Sequence, residues 1–378
     1  MSGEDGGVPP ERADAGTASP AGASGDPSID PPAASVIGPA VAALRRIAFL
    51  LERGRADSYR VKAYRAAAGA LLALGEDEAG ERASSGTLTE VAGIGASTAR
   101  VITQAVEGRT PDKLRETEET HGGPLTADGA GEALRARLRG DLHSHSDWSD
   151  GGSPIEEMAM TALELGHDYL VLTDHSPRLK VARGLSAERL ARQLDVLDAV
   201  NDHLAPTGFR MLRGIEVDIL DDGSLDQTDE MLGRLDLRVA SVHSKLAMEP
   251  EAMTRRMIAA VRQPWTNVLG HCTGRLVTGS RGTRAQSRFD ARAVFEACAE
   301  EGVAVEINSR PERRDPPTRL LELARDIGCL FSIDSDAHAP GQLDFPVLGC
   351  ARAEEVGIEA DRIVNTWPLE RLLDWARP

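Results

Sequence analysis

From Gly140 onward the chain alternates short apolar runs with longer stretches of helical spacing, and this alternation limits what it can fold into. The runs are Tyr169–Thr173, Arg210–Val217, Leu237–Val242, Asn267–Leu269, Val303–Ile307 and Cys329–Ile333. Between them lie amphipathic segments such as Ser186–Leu204, with Leu190, Leu194, Leu197 and Leu204 on one face, and Ala291–Ala299. Strands that alternate with helices predict a parallel sheet covered by those helices. The 238 residues from 141 to 378 suit one barrel-like unit, and no internal repeat divides them.

The residues at the C-terminal ends of these runs are chemically unusual. Asp141-Leu-His143-Ser-His145 opens the region, followed by Ser149-Asp150-Gly151. The next runs end in Asp174-His175, Glu216, His243, His271 and Asp336-Ala-His338. The C-terminal ends of parallel barrel strands are where active sites assemble. One strand-end histidine taken alone is ordinarily a hydrogen-bonded structural residue. Here six of the chain's nine histidines occupy such positions with acids beside them, which coincidence explains poorly. Imidazole mixed with carboxylate suits Zn²⁺, Mn²⁺ or Fe²⁺ and disfavours Mg²⁺ or Ca²⁺.

These residues also carry a family resemblance. His143-Ser-His145 with Asp150-Gly151, Leu172-Thr-Asp-His175, Gly214-Ile-Glu216 and Ser241-Val-His243 resemble successive motifs of the PHP (polymerase and histidinol phosphatase) family. His271-Cys-Thr-Gly-Arg275, Val305-Glu-Ile-Asn308 and Ser335-Asp336-Ala-His338 follow in the family's order. The pattern is similar to the C-terminal PHP domain of bacterial family X DNA polymerases and spans about 141–378. The resemblance implies an α/β fold, a distorted seven-stranded β/α barrel, with three divalent transition metal ions. His143, His145, Glu216 and Asp336 would hold the first ion, and Glu216 would bridge to a second held by His243 and His271. Asp150, His175 and His338 would hold the third. Arg275 is a candidate phosphate clamp, with structural ion pairing as the competing role. Asp174 and Asp218 are candidates for orienting ligands, with strand-end hydrogen bonding as the alternative, and Asn308 and Arg310 are candidate substrate contacts. Cys272 stands where the family commonly has proline and reads as a buried thiol.

Ahead of the barrel, Leu44, Ile47, Leu50 and Leu51 recur at helical spacing, a second helix is expected over Val61–Leu74, and Leu88–Val106 holds Val91-Ala-Gly93-Ile-Gly95 between apolar segments. Tyr59-Arg-Val-Lys-Ala-Tyr64-Arg65 and the Gly93–Arg100 stretch resemble the small helix-hairpin-helix DNA-binding domain of family X polymerases. Such a hairpin offers backbone amides to a phosphate without reading base sequence. Residues 41–74 hold seven basic side chains against two acidic ones. The candidate DNA contacts are Arg60, Lys62, Arg65, Gly93, Gly95 and Arg100, with a solvated helix face as the competing reading. No lysine stands beside the hairpin, so Schiff-base lyase chemistry is not expected. The short connection to the barrel leaves no space for a polymerase palm.

The expected organisation is therefore a disordered, acidic tail over 1–36, a helical domain over 37–118, a linker over 119–136 and a PHP domain over 137–378. The formal net charge of −17 argues against general coating of nucleic acid, but three divalent ions would reverse the charge locally. The four cysteines form no CxxC pair, and no apolar stretch approaches the ~18 residues of a membrane span, so a cytoplasmic location is expected. The function expected is a phosphoesterase acting at DNA ends, as a 3′→5′ exonuclease, 3′-phosphatase or abasic-site nuclease. A small-molecule phosphatase and a non-catalytic DNA-binding protein with a structural metal cluster are the alternatives.

Overall fold

A computed structural model of the chain describes residues 35–279 and 282–378. The tail expected over 1–36 lies, apart from its last two residues, outside these. Seven parallel strands form one sheet in sequence order: β1 (Gly140–Ser144), β2 (Tyr169–Leu172), β3 (Arg210–Asp218), β4 (Leu237–Ser241), β5 (Val268–Leu269), β6 (Ala304–Asn308) and β7 (Leu330–Asp334). A helix lies in every crossover, and between β3 and β4 it shrinks to one short turn, Asp229–Leu232. The helix expected from Ser186 begins one residue later, because the Ser186 hydroxyl serves as its N-cap by accepting from the Arg189 N–H.

Alternate residues of each strand enter two different cores, as a period of two requires. Met211, Ile215 and Val217 of β3 pack with Leu170 and Leu172 under the outer helices, whereas Leu212 packs with Tyr169, Val171, Leu237 and Val239 inside the barrel. Val364, Trp367 and Leu372 plug the base of that inner core. With both faces covered, the strands read as continuous apolar runs rather than alternating ones. Toward the C-terminal ends the inward positions turn polar, and the candidate ligands begin there.

Two features make the barrel irregular. Strand β5 has two residues, and a Cβ on the following Gly270 would lie 2.3 Å from Ser241 Oγ, so only glycine lets β4 and β5 approach this closely. Between β1 and β7 the ladder is reduced to a bridge at Ser144 and Ala337, with the His145 N–H donating to Ala337 O at 2.8 Å. Buried Asn365 fills the gap below it. Its amide donates to Gly140 O, Ile333 O and Asp334 Oδ1, and its Oδ1 accepts from the Ile333 N–H. One side chain thereby satisfies backbone groups that a regular ladder would have paired.

The helical module comprises α1 (Gly38–Arg53), α2 (Ser58–Leu74), α3 (Glu76–Ser85), α4 (Ala96–Val106) and α5 (Asp112–His121), around a core of Leu44, Ile47, Leu51, Leu71, Val101 and Ile102. The connection that follows, read from its glycines as a linker, is docked. Glu354 accepts from the Gly131 and Leu134 N–H groups at the start of a short helix, Glu132–Arg135. Gly131, at φ 83°, sits where a Cβ would meet Val347 O at 2.5 Å. The glycine marks a close approach there, which composition cannot distinguish from flexibility. Among the described residues no helix is long and apolar enough to cross a membrane.

Candidate metal centre

Glu216, on β3 and 1% exposed, sits at the middle of the strand-end residues. Its Oε1 lies 2.8 Å from His271 Nε2 and 3.1 Å from His243 Nε2. Its Oε2 lies 2.9 Å from His175 Nδ1, 3.3 Å from His143 Nε2 and 3.6 Å from His145 Nε2. Beside this group Asp336 Oδ1 stands 3.4 Å from His145 Nε2, and Asp150 Oδ1 is 3.4 Å from His175 Nε2 and 3.3 Å from His338 Nε2. Residues from six strand ends, up to 195 positions apart in sequence, thus meet in one place.

The arrangement suits cations rather than protons. His143 Nε2, both nitrogens of His145 and of His243, His175 Nδ1 and His271 Nδ1 are buried without a hydrogen-bond partner of acceptable geometry. Buried polar atoms are rarely left so, because each costs its full desolvation. Donor atoms within 4.8 Å of one another form three groups: His145, Asp150, His175 and His338; His143, His145 and Glu216; and His175, Glu216 and His243. His145 and His175 each enter two groups, where the family resemblance places each with a single ion.

Electrostatics within the cluster follow from burial and mutual charge. Burial alone would raise the Glu216 carboxyl, but His243, His143 and His175 hold it well below the usual carboxylate range. Burial likewise opposes ionisation of Asp336, and Arg310 and Arg313 outweigh it. Burial, with His338 and His175 alongside, pushes His145 down to about 3. Burial would also lower His175, yet Glu216 and Asp150 raise it to about 10, and Glu216 and Glu306 lift His143 well above its usual value. Transition ions take neutral imidazole, so loading must expel the protons on His143 and His175. Adding Zn²⁺ to unbuffered, metal-stripped protein at neutral pH is expected to acidify the solution, and affinity should fall as pH falls. The stabilisation that charged His175 gives the ion-free chain is complete below its ordinary 6.5 and fades as pH rises through about 10. Uptake without proton release would contradict this.

Supporting residues orient the cluster. Glu306 Oε1 lies 2.6 Å from His143 Nδ1, which turns Nε2 toward Glu216. Glu306 lies within the Val305–Asn308 motif but has no expected role from sequence; the signal for it is an acid at an inward position of an otherwise apolar strand. Asp218 accepts from the His243 N–H and lies 3.4 Å from its Nδ1. Asp174 holds the loop after His145 rather than a ligand, accepting from Ser146 N–H at 2.9 Å, Ser146 Oγ at 2.5 Å, Gln193 Nε2 at 2.6 Å and Ser149 Oγ. Asn308 donates to Asp336 Oδ2 at 3.1 Å and so braces a candidate ligand. Asp336 itself adopts φ 51°, a left-handed conformation that costs a non-glycine residue about 1 kcal/mol and is found at constrained sites.

The Arg275 guanidinium donates to the backbone carbonyls of Arg313 and Arg314, which is neither a phosphate clamp nor the ion pair named as its alternative. The positive charge beside Asp336 comes instead from Arg313, whose Nε donates to Asp336 Oδ2 at 3.0 Å, and from Arg310, with Nη1 3.6 Å from Asp336 Oδ1 and 3.1 Å from His338 Nδ1. Arg313 was missed; the Arg-rich segment after β6 was its signal. Cys272 is buried with Sγ 3.9 Å from Asp315 Oδ1, and burial and that carboxylate push its thiol well above the usual range. All four cysteines are buried and unpaired.

In the helical module, Gly93 has φ 92° at the hairpin turn, and Gly95 precedes α4 with its N–H donated to Thr98 Oγ1 at 3.0 Å. Both glycines are exposed, as are Arg60, Lys62 and Arg100. Arg65 is put to a different use. It donates to both carboxylate oxygens of Glu52 at 3.1 and 2.8 Å, and to Glu157 at 2.7 Å. Arg45, Arg46, Arg53 and Arg55 also face acids: Glu157 and Glu164, Glu118, Asp344, and Glu312 respectively. Most of the basic excess counted over 41–74 is therefore neutralised within the chain.

Residues 141–310 match the family model for the PHP domain. This stretch of the chain is a PHP domain. Residues 39–111 match a helix-hairpin-helix domain, so the PHP barrel is preceded by a module of that kind. The chain is 37% identical over 234 residues to the DNA polymerase/3′-5′ exonuclease PolX of Bacillus subtilis, covering 62% of this chain and 40% of that protein. The chain thus spans less than half the length of that relative. A probable phosphatase of a Thermoanaerobacter species is 27% identical over 238 residues, covering 60% of this chain and 89% of that one. A solved histidinol phosphate phosphatase from Lactococcus lactis superposes with TM-score 0.42 and 16% identity, over 59% of this chain and 95% of that one.

Proposed function

We propose that this PHP protein is a metal-dependent phosphoesterase that hydrolyses phosphate esters at DNA ends, as a 3′→5′ exonuclease, 3′-phosphatase or abasic-site nuclease. The observation that carries the reading is the Glu216-centred cluster, with its orphaned imidazole nitrogens, in one chain with a helix-hairpin-helix module. We assign His143, His145, Glu216 and Asp336 to one ion, Glu216, His243 and His271 to a second, and Asp150, His175 and His338 to a third, each Zn²⁺, Mn²⁺ or Fe²⁺. Bound ions of this kind polarise a phosphoryl oxygen and bring the pKa of a bound water to ~7. The chain's own part is to hold the donors in place through Glu306, Asp218 and Asn308. Arg310 and Arg313 present positive charge where a phosphate oxygen would arrive. The module would grip the DNA backbone through Arg60, Lys62, Arg100 and the hairpin.

A small-molecule phosphatase is the second reading. It is favoured by the match of 238 residues of this chain to a probable phosphatase that they cover to 89%, and by the internal pairing of most of the module's arginines. Turnover of recessed DNA ends, abasic duplex and histidinol phosphate, measured side by side with Mn²⁺ or Zn²⁺, separates the two. We expect the highest kcat/KM on a DNA substrate and none in excess chelator. Turnover of histidinol phosphate alone would replace the first reading with the second.

A further inference from the structure

The two most exposed members of the cluster are Asp150 and His338, with side chains 34% and 19% exposed. Both lie on loops, where a donor is held less precisely than on a strand and depends more on its supports. The loops are bonded to each other, since the Gly152 N–H donates to His338 O at 2.7 Å. Each is also fastened to the helical module. After His338 the chain enters the turn Pro340–Asp344, where the Gly341 N–H donates to Glu52 Oε2 at 2.7 Å and Asp344 accepts from Arg53 Nε at 2.5 Å. A Cβ on Gly341 would lie 2.1 Å from Phe49 O, so α1 and this turn touch backbone to backbone. After Asp150 the chain enters the helix Ile155–Glu164, whose Glu157 accepts from Arg65 Nη1 at 2.7 Å. The same Arg65 holds Glu52, so one guanidinium joins both loops.

We infer that Arg65 and Glu52 are positioning residues for the third ion: the helical module clamps the Asp150 and His338 loops and thereby sets that ion's affinity. The inference rests on the three-ion reading above. Glu52 is 5% exposed and Arg65 is enclosed by two carboxylates, so the clamp is buried enough to resist screening by salt. Partners that orient metal ligands typically change metal affinity 10- to 100-fold when replaced, and the clamp orients Asp150 and His338 through their loops. Arg65 thus acts on the metal centre by geometry, from a module outside the barrel.

The test uses the full chain, stripped with chelator and titrated with Mn²⁺ while free Mn²⁺ is counted by its solution EPR signal. Arg65→Met removes the guanidinium at similar volume. Glu157→Gln keeps the Glu52 side of the clamp and weakens only the Asp150 side, where Glu157 meets Arg65 and Arg45 with its side chain 28% exposed. In each variant one ion of three is expected to bind about tenfold or more weakly, with the other two unchanged and the melting temperature of the stripped chain preserved in Glu157→Gln. Arg65→Lys should recover part of the loss. Three ions bound with native affinity in Glu157→Gln, or uniform weakening of all three, would overturn the inference. A native chain holding two ions or fewer would remove the third site itself, and is recognised because it appears without any substitution.

Discussion

Glu216→Gln is expected to lower kcat for any phosphate ester by at least about a thousandfold and to reduce the ions retained. The substitution keeps shape and volume but removes the one negative charge that both carboxylate oxygens share among five imidazoles. Metal ions contribute several kcal/mol of charge stabilisation to such a reaction, and each ~1.4 kcal/mol is a factor of ten in rate. In the proposed assignment Glu216 is shared between two ions, so the effect should exceed that of replacing a peripheral donor such as His338. Elemental analysis of the purified variant, beside turnover of a chromogenic phosphate ester, reads both consequences. A variant with near-native kcat would place the chemistry away from Glu216.

The same charge explains why this region of the sequence could be read so far from the residues alone. A histidine or acid at the end of an apolar run is conspicuous, since nothing in strand packing calls for it. Six such ends in one chain point to one site on residue type alone. Glu306 and Arg313 escaped because their roles depend on partners 163 and 23 residues away. Neither breaks a pattern strongly enough to name its partner. Arg275 shows the converse: a basic residue in a recognised motif, yet turned toward the backbone carbonyls of Arg313 and Arg314. Residue type identifies chemistry that a side chain is capable of, while the fold decides which neighbour uses it.

Charge counting failed in the same way in the helical module. An excess of arginine over residues 41–74 reads as a phosphate-binding face only if the acids that meet it are nearby in sequence. Here Glu118, Glu157, Glu164, Glu312 and Asp344 come from later segments and take up five of the seven basic side chains, alongside Glu52 for Arg65. The module is consequently a fastened part of the barrel's mouth. Its removal would disturb the Asp150 and His338 loops, so a truncated barrel is a poor test of DNA binding.

A cleaner test leaves the clamp intact and changes only the exposed charges. Arg60→Ala, Lys62→Ala and Arg100→Ala combined should flatten the dependence of log affinity for DNA on log salt by about 2.7, at about 0.9 for each phosphate that these side chains neutralise. If that electrostatic contribution vanishes near ~1 M salt, the affinity deficit is about a hundredfold at ~200 mM and more than about a thousandfold at ~50 mM. The deficit should be insensitive to DNA sequence, because phosphates and the hairpin amides that meet them carry no base information. Arg65→Met should leave the slope unchanged, since its guanidinium already faces Glu52 and Glu157 and releases no counterion from DNA. Binding measured by fluorescence anisotropy from about 50 to 200 mM salt separates these outcomes. If the triple variant keeps the native slope, the module does not grip the DNA backbone through these residues, and phosphate esters of small molecules become the better substrates to pursue.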